Sequence, residues 1–239
     1  MNTKKIEKGN TRIIAHRGLS GLEQENTTQA FVAAGNRSYY GIETDIHLTA
    51  DENFIVIHDD NTARVTGIDR VVEETDFAML REMKVMDMDG STTRNDLRLP
   101  TLEEYVQICK KYEKVCVLEL KNHMPREQVW RVIDRLSELD YLDQTVFISF
   151  DFENLVFVRE KAPDQAVQFL TDKLGEEIIE QVIEHHFDLD VYHRVLTEEI
   201  VSRFHNAGLR VNCWTVNHRA DAARLISWGV DFITTNIIE

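Results

Sequence analysis

Eight short apolar runs recur along this chain, and what separates most of them is a stretch of helical periodicity rather than a turn. The runs are Arg12–Ala15, Gly41–Leu48, Val115–Leu120, Thr145–Ser149, Ala166–Leu170, Asp188–Tyr192, Leu209–Trp214 and Val230–Thr234. Residues 27–37, 101–112, 125–139, 151–161, 174–185, 197–207 and 218–228 read as amphipathic helices between them. Thr101, with Pro100 before it and Glu103 and Glu104 after it, marks a helix start, as does Thr197 before Glu198 and Glu199. Gly208 and Gly229 sit where helices should stop. Strands alternating with helices imply a parallel sheet with crossover connections. Eight strands suit a closed barrel better than an open doubly wound sheet of about five or six. The 239 residues match the length of one such domain. The expected fold is therefore an α/β (β/α)8 TIM barrel spanning residues 1–239. No eighth helix is expected, because only five residues follow Thr234.

A ninth run, Phe54–Ile57, follows Leu48 after the five residues TADEN. That connection is too short for a crossover, so the run should pair antiparallel with the second strand as a β-hairpin extension. Residues 60–99 contain no clear barrel unit and exceed an ordinary loop. They are expected to form a small insertion over the C-terminal mouth, partly helical around Thr75–Met83. Met79, Met83, Val85, Met86 and Met88 form an apolar stripe in it, whose helical spacing favours packing into a core over a lipid-facing lip.

Composition narrows the partners. Lys and Arg number 27 against 42 Asp and Glu, a formal net charge of -15. A binder of nucleic-acid backbone needs a basic footprint, so nucleic acid is not expected as a partner. Cys109, Cys116 and Cys213 are odd in number with no C-x-x-C pair, as for a reduced compartment or buried free thiols. The opening MNTKKIEKGNTRIIAHRG has no apolar leader segment, and no run is long enough to span a bilayer. A cytoplasmic location and no stable membrane insertion are expected. Oligomeric state is not legible.

In a barrel the chemistry belongs at the C-terminal ends of the strands. The first strand ends in His16, Arg17 and Gly18; the second carries Glu43, Asp45 and His47; the hairpin ends in His58 and Asp59; the third carries Glu119 and Lys121. Residues two apart on a strand share a face, so Glu43 pairs with Asp45 and Glu119 with Lys121. Three carboxylates converging on an interior site repel one another unless a hard divalent cation such as Mg2+ or Ca2+ holds them. A single E-x-D would more simply be a salt-bridged rim. Its combination with E-x-K and H-R-G on neighbouring strands favours a site. His16 and His58 are acid–base candidates because each ends an apolar strand beside a charged residue. His123, His185, His186, His193, His205 and His218 read as structural or surface residues. Arg17 offers a planar fork suited to phosphate oxygens, or a structural pair with Glu25.

These residues lie within AHRG at 15–18, ENT at 25–27, GIETDIHLTAD at 41–51, VIHDD at 56–60, PTLEE at 100–104, LELK at 118–121, ISF at 148–150, CWTVN at 213–217 and GVDFITT at 229–235. Together these stretches resemble the glycerophosphodiester phosphodiesterase family over nearly the whole chain. The resemblance implies a metal-dependent barrel enzyme that splits small-molecule glycerophosphodiesters into glycerol 3-phosphate and an alcohol. It implies that Glu43, Asp45 and Glu119 hold the cation, and that His16 and His58 are general base and acid. It further implies that Arg17 and Lys121 bind phosphate, that Trp214 packs on glycerol or leaving group, and that Glu25 and Asn26 orient His16 or Arg17. His47 has no assigned role.

Two departures stand out. Gln24 replaces the proline usual before ENT, which should require only a loop adjustment. The usual T-D-P at the barrel's end is Thr235, Asn236, Ile237, which questions closure of the barrel bottom and one polar contact near the mouth. A lysophospholipase D acting on lysolipids and a non-catalytic phosphate-binding barrel are the rival readings. Water and the glycerol 2-hydroxyl both remain open as nucleophile.

Overall fold

The computed structural model describes residues 2–239. The strands are β1 (Arg12–Ala15), β2 (Gly41–Leu48), β3 (Phe54–Val56), β4 (Val115–Leu120), β5 (Thr145–Ser149), β6 (Val167–Thr171), β7 (Asp188–Tyr192), β8 (Val211–Trp214) and β9 (Phe232–Thr235). All but β3 are parallel, in the order β1-β9-β8-β7-β6-β5-β4-β2, and the β1–β2 pairing closes the ring. This is the expected TIM barrel. β3 pairs antiparallel to β2, with Ile46 opposite Val56 and Leu48 opposite Phe54, so TADEN is a hairpin turn. β8 and β9 begin two residues later than their apolar runs. Gly208 and Gly229, both at positive φ, lie two residues beyond the ends of the preceding helices, and the next two residues carry the chain back into the barrel.

Alternation along the strands builds two apolar layers. Ile14, Val117, Ile148, Leu170 and Phe232 fill the barrel interior. Ile13, Ile42, Ile46, Leu118 and Leu120 face outward into the helix-packed core. Seven helices form that outer ring: α1 (Thr28–Gly35), α4 (Leu102–Lys111), α5 (Arg126–Glu138), α6 (Phe152–Lys161), α7 (Glu176–Glu184), α8 (Glu198–Asn206) and α9 (Arg219–Ser227). α4 starts with a capping box in which the Thr101 side chain and Glu104 satisfy each other's backbone amides. Thr197 caps α8 by accepting from the Ile200 amide at 3.3 Å.

Where an eighth helix would lie, two chain segments run side by side. Lys4 bridges Ile238 in parallel, the Ile6 amide donates to the Glu239 carbonyl at 3.1 Å, and Ile6, Ile237 and Ile238 pack on the core. The doubt about closure is corrected: β1 pairs with both β9 and β2, and the ring is closed.

Residues 60–99 carry two short helices, α2 (Ala63–Thr66) and α3 (Phe77–Glu82), and a 3-10 turn at Val72–Glu74. Ile55, Ile57, Val65, Val72, Leu80, Met83, Val85, Leu97 and Leu99 make a small separate core. The methionine stripe does not pack as expected. The helix ends at Glu82, and while Met83 and Val85 are buried, Met79 and Met88 are about half exposed. Cys109, Cys116 and Cys213 are buried and unpaired. Among the described residues no helix is long and apolar enough to cross a membrane.

Candidate active site

The expected site residues meet at the C-terminal end of the barrel because the β2–β4 register puts Asp45 beside Glu119. Glu43, Asp45 and Glu119 are all buried, and one carboxylate oxygen of each lies within 4.8 Å of the others. Lys121 Nζ sits 2.8 Å from Glu119 and 3.8 Å from Asp45. Asn26, at positive φ on the loop after β1, donates from Nδ2 to Asp45 Oδ2 at 2.7 Å and accepts from Thr44 at 2.8 Å. Asp45 Oδ1 is buried with no hydrogen-bond partner. Three buried carboxylates around an unsatisfied oxygen fit a hard cation, and no cysteine or histidine is in the cluster.

The HRG turn supports this cluster from below. Arg17 adopts φ 54°, which lets its amide donate to Glu43 Oε2 at 2.7 Å. Gly18 follows at φ 74°, and a Cβ there would lie 2.7 Å from the Ala30 backbone, so only glycine fits. The Arg17 guanidinium donates to Glu25 at 2.9 Å and lies 3.6 Å from Asp45. His16 Nδ1 donates to Asn236 Oδ1 at 2.7 Å, so the contact questioned from the T-N departure is made by the amide. His58 Nδ1 lies 2.7 Å from Asp59 Oδ1.

His16, Arg17, Glu43, His58, Glu119 and Trp214 line one cavity of about 110 Å3. A larger groove of about 490 Å3 lies outside the barrel, lined by charged residues such as Glu103, Arg131 and Arg135. Its side chains pair with one another, as Arg135 does with Glu103 at 2.7 Å, and it gathers no buried titratable groups. The buried titratable groups gather at the smaller cavity.

The glycerophosphoryl diester phosphodiesterase family model matches residues 16–239. This chain is a member of that family. A glycerophosphodiester phosphodiesterase of Caldanaerobacter subterraneus is 29% identical over 95% of this chain and 94% of its own. A phosphodiesterase of Oleispira antarctica, solved in complex with the product sn-glycerol-3-phosphate, superposes with a TM-score of 0.86 at 25% identity, covering 94% of this chain and 92% of its own. A glycerophosphodiester phosphodiesterase of Parabacteroides distasonis gives a TM-score of 0.81 at 28% identity, covering 96% and 94%. As a glycerophosphoryl diester phosphodiesterase family member, the chain is a phosphoric diester hydrolase.

The charges in this family member's site act on one another. Burial, with Asp45 beside them, pushes Glu43 well above the carboxylate range and Glu119 up to about 8. Burial opposes charge on Asp45 too, yet Arg17, His58 and Lys121 hold it low. Burial, and then Arg17, lowers His16 to about 4. Burial also lowers His58, against the pull of Asp45.

Several contributors were not assigned from sequence. Arg64, on α2, donates to Asp59 at 2.6 Å and to both Glu25 oxygens at 2.8 and 3.0 Å. It ties His58's partner to Arg17's partner. His47 is fully buried, with Nδ1 3.0 Å from Glu73 and Nε2 3.2 Å from the His58 carbonyl, so it braces the end of the hairpin. Asp190 on β7 and Phe150 after β5 also line the cavity. Asp190 had a readable signal, an acid two residues from Asp188 in an otherwise apolar strand.

Proposed function

We propose that this protein hydrolyses glycerophosphodiesters to glycerol 3-phosphate and an alcohol by cation-dependent acid–base catalysis. The observation that carries the reading is the convergence of two histidines, Arg17 and a buried carboxylate cluster on one small cavity. The glycerol 3-phosphate bound as product to the Oleispira antarctica relative supports the same substrate class. Glu43, Asp45 and Glu119 would hold the divalent cation, Mg2+ or Ca2+, which when bound supplies positive charge to offset that developing on the phosphoryl oxygens. Arg17 and Lys121 bind the phosphate, with Glu25 fixing the Arg17 fork and Asn26 fixing Asp45. Trp214 packs against the organic part of the substrate.

The two histidines differ in their partners, which supports a division of roles. Asn236 offers His16 a neutral carbonyl, so His16 rests uncharged with Nε2 free to take the proton of the attacking hydroxyl. Asp59 offers His58 a carboxylate, which opposes the burial that lowers it and favours an imidazolium able to protonate the leaving alkoxide. Residues 60–99 act as a small insertion whose Arg64 holds Asp59 in place.

One observation favours the lysolipid reading as second. Ile68, Val71, Met79 and Met88 of residues 60–99, and Phe150 at the cavity, are exposed. A panel of glycerophosphocholine, glycerophosphoethanolamine and lysophosphatidylcholine, each with Mg2+, Ca2+ or Mn2+, tests both. Cation-dependent release of glycerol 3-phosphate from the water-soluble diesters is expected. Preference for the lysolipid, or full activity in EDTA, would overturn the proposal.

A further inference from the structure

The cavity has two chemically different walls. β1, β2 and β4 supply the histidine, the arginine and the carboxylates. The wall from β5 to β8 is apolar, with Ile148, Phe150, Leu170 and Trp214, and has a single acid, Asp190. β7, which carries Asp190, stands opposite β2 in the strand order. Asp190 lies in register with Leu170 of β6 and Asn212 of β8.

Asp190 is 1% exposed, and its Oδ1 has no hydrogen-bond partner. Asn212 hydrogen-bonds toward its carboxyl but is shared with other partners. Asn212 donates to Gln168 at 3.1 Å, and Thr234 donates to Asn212 at 3.2 Å. The Trp214 Nε1, one register step above on the adjacent strand, is likewise buried and unpartnered. A buried polar group left unpaired destabilises the fold unless a ligand or water satisfies it. The residues that bear these two atoms, one an oxygen and one an N–H donor, both line the cavity. Asp190 does not belong to the carboxylate cluster that fits a cation. Burial raises its carboxyl well above the usual range, with Glu119 acting in the same direction, so it is suited to a neutral partner.

A neutral ligand group that both donates and accepts is a hydroxyl. The cavity, about 110 Å3, is well below the roughly 300–1,000 Å3 of sites for drug-sized ligands. We propose that Asp190 is a specificity-determining residue that reads a free hydroxyl of the substrate's glycerol, with the Trp214 N–H beside it. The phosphate then lies toward β1, β2 and β4, and the glycerol lies across the apolar wall. An acyl chain on that hydroxyl removes the proton that Asp190 would accept. The inference rests on the glycerophosphodiester reading of the site and narrows it to deacylated substrates.

The test compares glycerophosphocholine with propylphosphocholine, which replaces the glycerol by a chain without hydroxyls, in protein supplied with the activating cation. The wild type should favour the glycerol substrate in kcat/KM by about tenfold or more, because a site built to bond a hydroxyl rejects the analogue lacking one. Asp190→Leu should bring the preference to within about threefold, and the near-isosteric Asp190→Asn, which retains a donor and an acceptor, should keep most of it. Equal use of both substrates by the wild type would overturn the inference while leaving the phosphodiesterase reading intact, and needs no variant to fold. An undiminished preference in Asp190→Leu would also overturn it. Failure of the wild type to cleave glycerophosphocholine, while it cleaves bis(p-nitrophenyl) phosphate, would overturn the underlying function and the inference with it.

Discussion

His16 and His58 are distinguished by what lies behind each ring, an amide for one and a carboxylate for the other. Replacing either by alanine should lower turnover of glycerophosphocholine by on the order of 10^2–10^4. A p-nitrophenyl leaving group, which departs without a proton, should restore much of the loss in His58→Ala and little in His16→Ala. Steady-state rates on the two substrates decide this, and the reverse pattern would exchange the two roles. Asn236→Asp should place a carboxylate 2.7 Å from His16 Nδ1, where the amide oxygen now lies. The folded protein holds His16 at about 4, so its charged form is now disfavoured. The added charge should move the acid limb of the kcat/KM profile upward by about one unit or more. An unmoved profile would show that His16 does not set that limb. The site's charged residues were legible because two-residue spacing on an apolar strand puts them on one face, as with Glu43 and Asp45. Asn236 was legible only as a departure, since nothing local in T-N-I says that its amide reaches a histidine 220 residues away. Asp190 shares a D-x-D spacing with Asp188, but with no histidine or basic partner beside it in sequence the pair most simply reads as a rim.

Among the elements, the β2–β3 hairpin was legible from connection length alone, since the five residues TADEN cannot hold a crossover helix. The segment after the hairpin was not. The methionine spacing from 79 to 88 suggests a helix, but the chain leaves helical geometry after Glu82 and turns to bury Met83 and Val85 in a core of its own. That small core positions α2, and α2 presents Arg64 to Asp59 and Glu25. Arg64 is about half exposed, so its pairs should add little to stability, in the range of roughly 0.2–1 kcal/mol for surface ion pairs. Its influence should fall on orientation instead. Arg64→Ala should lower kcat by roughly tenfold, since small misplacements of catalytic groups are costly, while shifting Tm by no more than about 2–4 °C. Kinetics and a thermal melt on the same preparation test this; unchanged kcat would confine Arg64 to the surface.

For the whole molecule, a net charge of -15 and three buried carboxylates make stability depend on pH and cation together. Glu119 rises in the fold from 4.5 to about 8, so between those values the folded protein holds a proton that the unfolded chain has lost. Stability of the cation-free protein should therefore fall as pH rises from about 4.5 through about 8. Added cation at about a hundred times its Kd should restore roughly 2.7 kcal/mol, most visibly at the alkaline end of that window. Melts in EDTA and in excess Mg2+ or Ca2+ across pH 5–9 measure it, and no cation-dependent shift would remove the carboxylates from that role. The ring itself has one closure that differs from the rest. The β1–β9 pairing joins opposite ends of the chain, for which the length-dependent entropy of closing about 220 residues is roughly 5 kcal/mol, whereas every other barrel pairing closes a much shorter loop. That makes it the slowest contact to win during folding. His16 and Asn236 stand on either side of it, so an arc of strands can be packed, compact and helical while still inert. Catalysis should then return only in the last kinetic phase of refolding, behind the recovery of secondary structure, which makes enzyme turnover a clock for the final stitch of the barrel.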